Sequence, residues 1–391
     1  MSLDASAILA EAQDKAGFAD SEPVIASNLE VLCASLNSVG NLSTDGEAAA
    51  WRALVTRQAD RIGGLKWCAE HPEILVEPID ALFLCGLPRS GTTYFQYLFD
   101  RDRRFQLVRT WQSLVPLPPP AADAQSVAER KAFAHEIRAR TRPAEPENFA
   151  ALHLYDEDGS DECHAFLEQG VTAAGFHNVY DVPTYFDWLI SHCDPVPAYE
   201  VHKRQLQLLQ WRGMHKPWAL KYPNHVLFMD AICAVHPAAR FAITHRDPLQ
   251  VLASIAKMTL TLRKTRYDTV DPARVGEQML HFIEAHIARI MAFADGPEAH
   301  RVVHVDYYAL VANPAEEMVR IHTALGIESP PDVIAEIAGW RRENPKNARG
   351  ANDYALAQFG LSADAVEERF ATYRQRFAIP READAIKELS E

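Results

Sequence analysis

Several marks that would assign a chain quickly are missing from this one. The six cysteines, Cys33, Cys68, Cys85, Cys163, Cys193 and Cys233, form no C-x-x-C pair, and none stands at metal-ligand spacing from a histidine. They predict reduced thiols in a cytoplasmic protein. No run approaches eighteen apolar residues, so no segment is expected to span a membrane. Met1-Ser2-Leu3-Asp4 has an early acid and no basic stretch, so no secretory signal is expected. Basic residues are outnumbered, 39 Lys and Arg against 53 Asp and Glu, for a net charge of −14. That balance excludes a broad nucleic-acid surface but leaves room for a small polyanion on a local cluster of donors. No internal repeat or low-complexity tract is present. What remains is a chain of 391 residues, 48% hydrophobic and 24% charged, an ordinary composition for a chain with a large buried core.

Residues 1–78 read as a helical N-terminal extension. Leu3 to Ala16 and Ala48 to Ala69 carry apolar residues at helical spacing, punctuated by Gly40, Asn41 and Gly46. The texture changes at Ala81-Leu82-Phe83-Leu84-Cys85, a short apolar run suited to a strand buried on both faces. Trp218 to Lys221, Arg240 to Thr244 and Val302 to Val305 are further strand candidates, alternating with helical stretches. Asp247-Pro248 supplies a helix N-cap and first residue, and Gly326 closes the helix that begins at Asn313-Pro314. The pattern predicts an α/β fold with a central parallel sheet and right-handed crossovers over residues 79–391, with an insertion near 113–215. Within it, the acidic stretch 141–165 is expected to be a surface excursion.

The loop behind the first strand reads Gly86-Leu87-Pro88-Arg89-Ser90-Gly91-Thr92-Thr93. Its glycines are spaced as in G-x-x-x-x-G-K-[ST], a loop that wraps backbone N–H groups around phosphate oxygens at a helix N-terminus. The position after Gly91 is Thr92, so the lysine that clamps a triphosphate is missing. The cation stands inside the loop instead, at Arg89, whose planar fork suits phosphate or sulfate. This disfavours an ATP-dependent kinase. A second cluster follows another strand: Arg246 leaves its carboxyl end and Ser254 stands eight residues on, in the next helix.

Together these strings resemble the sulfotransferases that use 3′-phosphoadenosine 5′-phosphosulfate, in the Pro-Arg-Ser-Gly-Thr-Thr form of the bacterial branch, similar to the tyrosyl-protein enzymes. The resemblance covers about residues 80 to 360 and implies a P-loop-like three-layer fold. It implies that Pro88, Arg89, Ser90, Gly91, Thr92 and Thr93 cradle the 5′-phosphosulfate and that Arg246 and Ser254 take the 3′-phosphate. Tyr307 is similar to a tyrosine that contacts adenine, and Lys346, Arg349 and Gly350 resemble a basic loop that closes over the nucleotide. Lys221, in Lys-Tyr-Pro, resembles the family lysine that reaches the sulfate and the leaving oxygen.

The resemblance implies sulfuryl transfer to a hydroxyl of a small-molecule, lipid or carbohydrate acceptor, with Arg89 and Lys221 stabilising charge and no metal required. A general base must take the acceptor's proton. Relatives place a glutamate where this chain has Gln112, in Arg109-Thr110-Trp111-Gln112, and an amide cannot serve. Glu162, in Asp161-Glu162-Cys163, is the first substitute, His153 the second, and His225 a further imidazole near the Lys221 loop. A non-catalytic nucleotide-binding relative is the other reading that Gln112 leaves open. Phe176, Tyr180, Tyr185, Phe186, Trp188, Trp211 and Trp218 would serve equally as acceptor-pocket walls or as core.

Overall fold

A computed structural model describes residues 2–121, 123, 125–141, 158–343 and 356–388. Four strands form one parallel sheet in the order β2-β1-β3-β4: β1 Ala81–Gly86, β2 Trp218–Lys221, β3 Arg240–His245 and β4 Val302–Asp306. Phe83 pairs with Leu220 on one side and Phe241 on the other, and Ile243 pairs with His304. Every residue of β1 is buried, so alternate side chains enter different layers. Leu82 and Leu84 pack with Phe95, Leu98, Phe99, Val303 and Val305. Phe83 and Cys85 pack with Leu220, Phe241, Ile243 and a larger helical layer. Two covered faces around one sheet give the expected three layers.

The N-terminal helices Ala5–Ala16, Pro23–Val39 and Thr44–Glu70 join that larger layer through Ile8, Leu29, Leu32 and Val55, so they share a core with the sheet. Asp4 and Ser43 cap the first and third of them, each accepting from a first-turn N–H. Arg61, fully buried on the third, bonds Asp20 and Glu22, and Glu22 also takes Arg204 of the helix Val196–Gln210. Losing Arg61 would leave Asp20 without its guanidinium partner.

One expectation is corrected. The described part of the acidic stretch, from Asp158 to Glu162, turns inward by Asp161 and runs beside the sheet. Asp161 N–H donates to Val108 O at 2.8 Å and Cys163 N–H to Lys221 O at 2.9 Å. Asp161 is only 8% exposed because its carboxylate takes the Ser113 hydroxyl and its carbonyl takes the Gln96 amide. The aromatic residues, which the sequence leaves open between core and pocket wall, pack into the core. Phe176, Tyr180, Tyr185, Phe186, Trp211 and Trp218 are buried, and Trp188 is half-buried against them. Phe186 stacks on His177 and packs on Phe282. His153, Lys346, Arg349 and Gly350 lie outside the described residues.

Because the sheet is parallel, Gly86, Lys221, His245 and Asp306 all end at one edge. Ligand sites of open α/β sheets form there.

Candidate active site

The loop after β1 owes its shape to two glycines and to its neighbours. Gly86 has φ 142°, and a Cβ there would lie 2.5 Å from Thr244 O. Gly91 has φ 90°, and a Cβ there would lie 2.5 Å from the Tyr307 ring. Any side chain at either position would clash as well as strain the backbone. Ser90 N–H donates to Leu87 O at 3.1 Å, and the Ser90 hydroxyl lies 2.6 Å from that of Thr244 on β3. The helix Thr92–Asp100 then starts at Gly91 with no side-chain cap, leaving its positive end to whatever the loop binds. Arg89 has φ 71°, a conformation that costs a non-glycine residue roughly 1–3 kcal/mol.

At the β2 side of the loop stands Lys221, with its side chain 1% exposed. Its Nζ donates to Thr93 Oγ1 at 3.0 Å and ion-pairs with Glu162. The strand end fixes the lysine, and Cys163 N–H on Lys221 O fixes the neighbouring acid. Glu162 keeps 16% of its side chain exposed, so the carboxylate borders solvent while its partner does not. A buried ammonium needs such a countercharge.

Gln112 serves its own helix: its side-chain oxygen accepts Arg109 N–H at 2.8 Å, capping the short helix Thr110–Leu114. His225 is corrected as a base candidate. It is fully buried, its Nδ1 lies 2.8 Å from Tyr199 Oη, and burial pushes its pKa down to about 3.

At the β3 side, Arg246 lies over the Tyr307 ring, 4.5 Å from its centroid. Nη1 of Arg246 donates to Arg89 O at 3.0 Å, gripping the carbonyl of the strained residue. Arg89 Nε in turn donates to Ser254 Oγ at 3.1 Å. The two sequence motifs are therefore one hydrogen-bonded unit across neighbouring strands. Asp247 caps the helix Pro248–Arg263 through Leu249 N–H, with Pro248 at its first position, as the sequence predicts.

Residues absent from the sequence expectation complete this end. Glu382, at the start of the helix Glu382–Glu388, accepts from Arg246 Nε at 2.9 Å and Nη2 at 2.7 Å. Its N–H donates to Asp247 Oδ2 at 2.9 Å, and Tyr308 Oη donates to its carboxylate at 3.1 Å. Burial would lower the Arg246 pKa, but the Glu382 carboxylate outweighs it and holds the guanidinium pKa above its usual value. No local signal marks Glu382, because it lies more than a hundred residues from its partner.

Arg89, Ser90, Gly91, Thr93, Lys221 and Glu162 thus meet at the sheet edge with Arg246, Ser254 and Tyr307. The arrangement offers a backbone cradle and cations for an extended anionic ligand, with a carboxylate beside the buried ammonium.

Known proteins share this fold. The structure is similar to sulfotransferase STF9 from Mycobacterium avium at 24% identity and TM-score 0.87, covering 96% of this chain and 97% of that one. It is also similar to sulfotransferase STF1 from Mycobacterium tuberculosis H37Rv at 23% identity and TM-score 0.82, covering 95% and 99%. These likenesses show a shared fold over nearly the whole length. No curated protein matches the sequence. Among the described residues, no helix is long and apolar enough to cross a membrane. The family model for the sulfotransferase family matches residues 81–332, from the start of β1 to beyond β4 and across more than half of the chain, and the chain belongs to that family.

Proposed function

We propose that this sulfotransferase takes its sulfuryl group from 3′-phosphoadenosine 5′-phosphosulfate and passes it to a hydroxyl of a small-molecule, lipid or carbohydrate acceptor. The backbone of Gly86–Thr93 and the start of the helix Thr92–Asp100 receive the 5′-phosphosulfate. Arg246 and Ser254 receive the 3′-phosphate, and Tyr307 flanks the adenosine. Arg89 bridges the two ends. The supporting observation is the Lys221 ammonium, bonded at once to Thr93 of the loop and to Glu162.

In the reaction the acceptor oxygen attacks sulfur, and the bond from sulfur to the bridging phosphate oxygen breaks. The acceptor proton passes to Glu162, and the bisphosphate leaves with its new charge met by Lys221 and the loop N–H groups. Donor binding brings the sulfate oxygens to the Lys221 ammonium beside Glu162. A magnesium-ATP phosphotransferase would need a lysine where Thr92 stands. A non-catalytic nucleotide binder draws no support from Gln112, whose side chain is spent on a helix cap.

The experiment is transfer of label from sulfur-labelled donor to panels of phenols, alcohols, sugars and glycolipids, with bisphosphate release followed in parallel. Labelled product with stoichiometric adenosine 3′,5′-bisphosphate supports the reading. Failure to bind the bisphosphate would overturn it.

A further inference from the structure

Behind the Glu162–Lys221 pair lies a closed group of side chains that sulfuryl transfer does not use. Cys163, His202 and His225 are each 0% exposed. One ligand atom from each, the cysteine sulfur and an imidazole nitrogen from each histidine, all lie within 4.8 Å of one another. Both ring nitrogens of His202 lack a hydrogen-bond partner, and so does Nε2 of His225. Buried polar atoms without partners are rare and costly, and they call for a bound species.

The surroundings select its chemistry. Nδ1 of His225 lies 2.8 Å from Tyr199 Oη, so an Nδ1–H donated to that oxygen leaves the Nε2 lone pair free, as in histidines that bind metals. Phe83 meets the His225 ring edge-on at 5.0 Å, and Phe83, Phe166 and Tyr199 ring the His202 imidazole. A thiolate and two imidazoles, all fully buried, suit a soft ion. Three distant segments supply them: the residue after Glu162, the helix Val196–Gln210 and the turn Pro223–Phe228. Sequence spacing therefore gave no sign of the trio.

We infer that Cys163, His202 and His225 bind one thiophilic metal ion, zinc(II) or copper(I), which ties those three segments together behind the active site. Binding moves the Cys163 proton to solvent and joins the thiolate and two imidazole lone pairs to the ion. The ion has a structural place here; no step of sulfuryl transfer is assigned to it, and the inference does not rest on the proposed donor.

The test is metal content of the full chain purified without chelator from zinc-supplemented and from copper-supplemented cells. Wild type is expected to carry about one equivalent of one of the two ions, which identifies it. Cys163→Ser should lose it, and Cys233→Ser, at a half-buried cysteine elsewhere, should keep it. Cobalt(II) added to stripped wild type should give a near-ultraviolet sulfur-to-cobalt charge-transfer band, and this decides the matter alone if Cys163→Ser does not fold. Wild type with no retained zinc or copper and no cobalt band would overturn the inference.

Discussion

Each end of the site presents a cation already engaged by a glutamate, and the two pairs differ in what holds the acid. Glu162 hangs from the segment hydrogen-bonded to Val108 and Lys221, so it is part of the sheet edge. Glu382 begins a terminal helix and is held by Arg246, by Tyr308 and by the Asp247 side chain on its N–H. On the proposed reading the first acid shares its cation with an arriving sulfate without moving far. The second occupies the donor fork of Arg246, so on the proposed reading the 3′-phosphate must displace it. In this account one carboxylate works in the reaction and the other stands in for part of the ligand.

The sharpest way to break that contrast is Glu162→Gln. It keeps the shape and removes the proton acceptor, so kcat should fall by about 10²–10⁴ while bisphosphate affinity holds. An unchanged kcat would reassign the base. Lys221→Ala should lower kcat by about 10²–10³, the cost of removing one charge-stabilising donor. A change confined to KM would place the lysine in ground-state binding alone.

Acid should strike the Arg246 end through its foundations. His245, just before Arg246, lies 2.7 Å from Tyr373 Oη and 2.8 Å from His304. Burial first, then each neighbouring cation or imidazole, pushes His245 down to about 3 and His304 to about 4. Both are neutral in the fold, whereas the unfolded chain takes protons below about pH 6.5. Stability is therefore full above that pH and is lost as pH falls toward 4, by roughly 1.4 kcal/mol per pH unit for each histidine. Thermal melting between pH 7 and 5 checks this, and a flat midpoint would contradict it. The smallest effect is expected from Glu382→Gln, which weakens the competitor and should tighten bisphosphate binding by about 1 kcal/mol. Weaker binding would show that Glu382 supports the pocket instead of filling it.

The sheet was legible in the sequence because each strand is a short apolar run bounded by glycine, charge or proline. All four fall within a residue of the expected bounds. The loop was legible because its glycines, arginine and hydroxyls are contiguous. The inward turn at Asp161 was not, since acids read as solvent-facing until Ser113 and Lys221 come to meet them. The helix Pro23–Val39 lies within the stretch read as helical, but its own bounds were not picked out although Pro23 and Gly40 bracket it. Glu382 and the Cys163, His202 and His225 chamber depend on contacts between remote segments, which no local pattern carries.

The claim that one adenosine carrier spans both ends is tested most directly by calorimetric binding of adenosine 3′,5′-bisphosphate against adenosine 5′-phosphate, in wild type and Arg246→Ala. Wild type should prefer the bisphosphate, and Arg246→Ala should lose about 1.5–3 kcal/mol for it while binding the 5′-phosphate as before. Equal affinity for the two nucleotides in wild type, or an Arg246→Ala variant with undiminished bisphosphate affinity, would contradict the account.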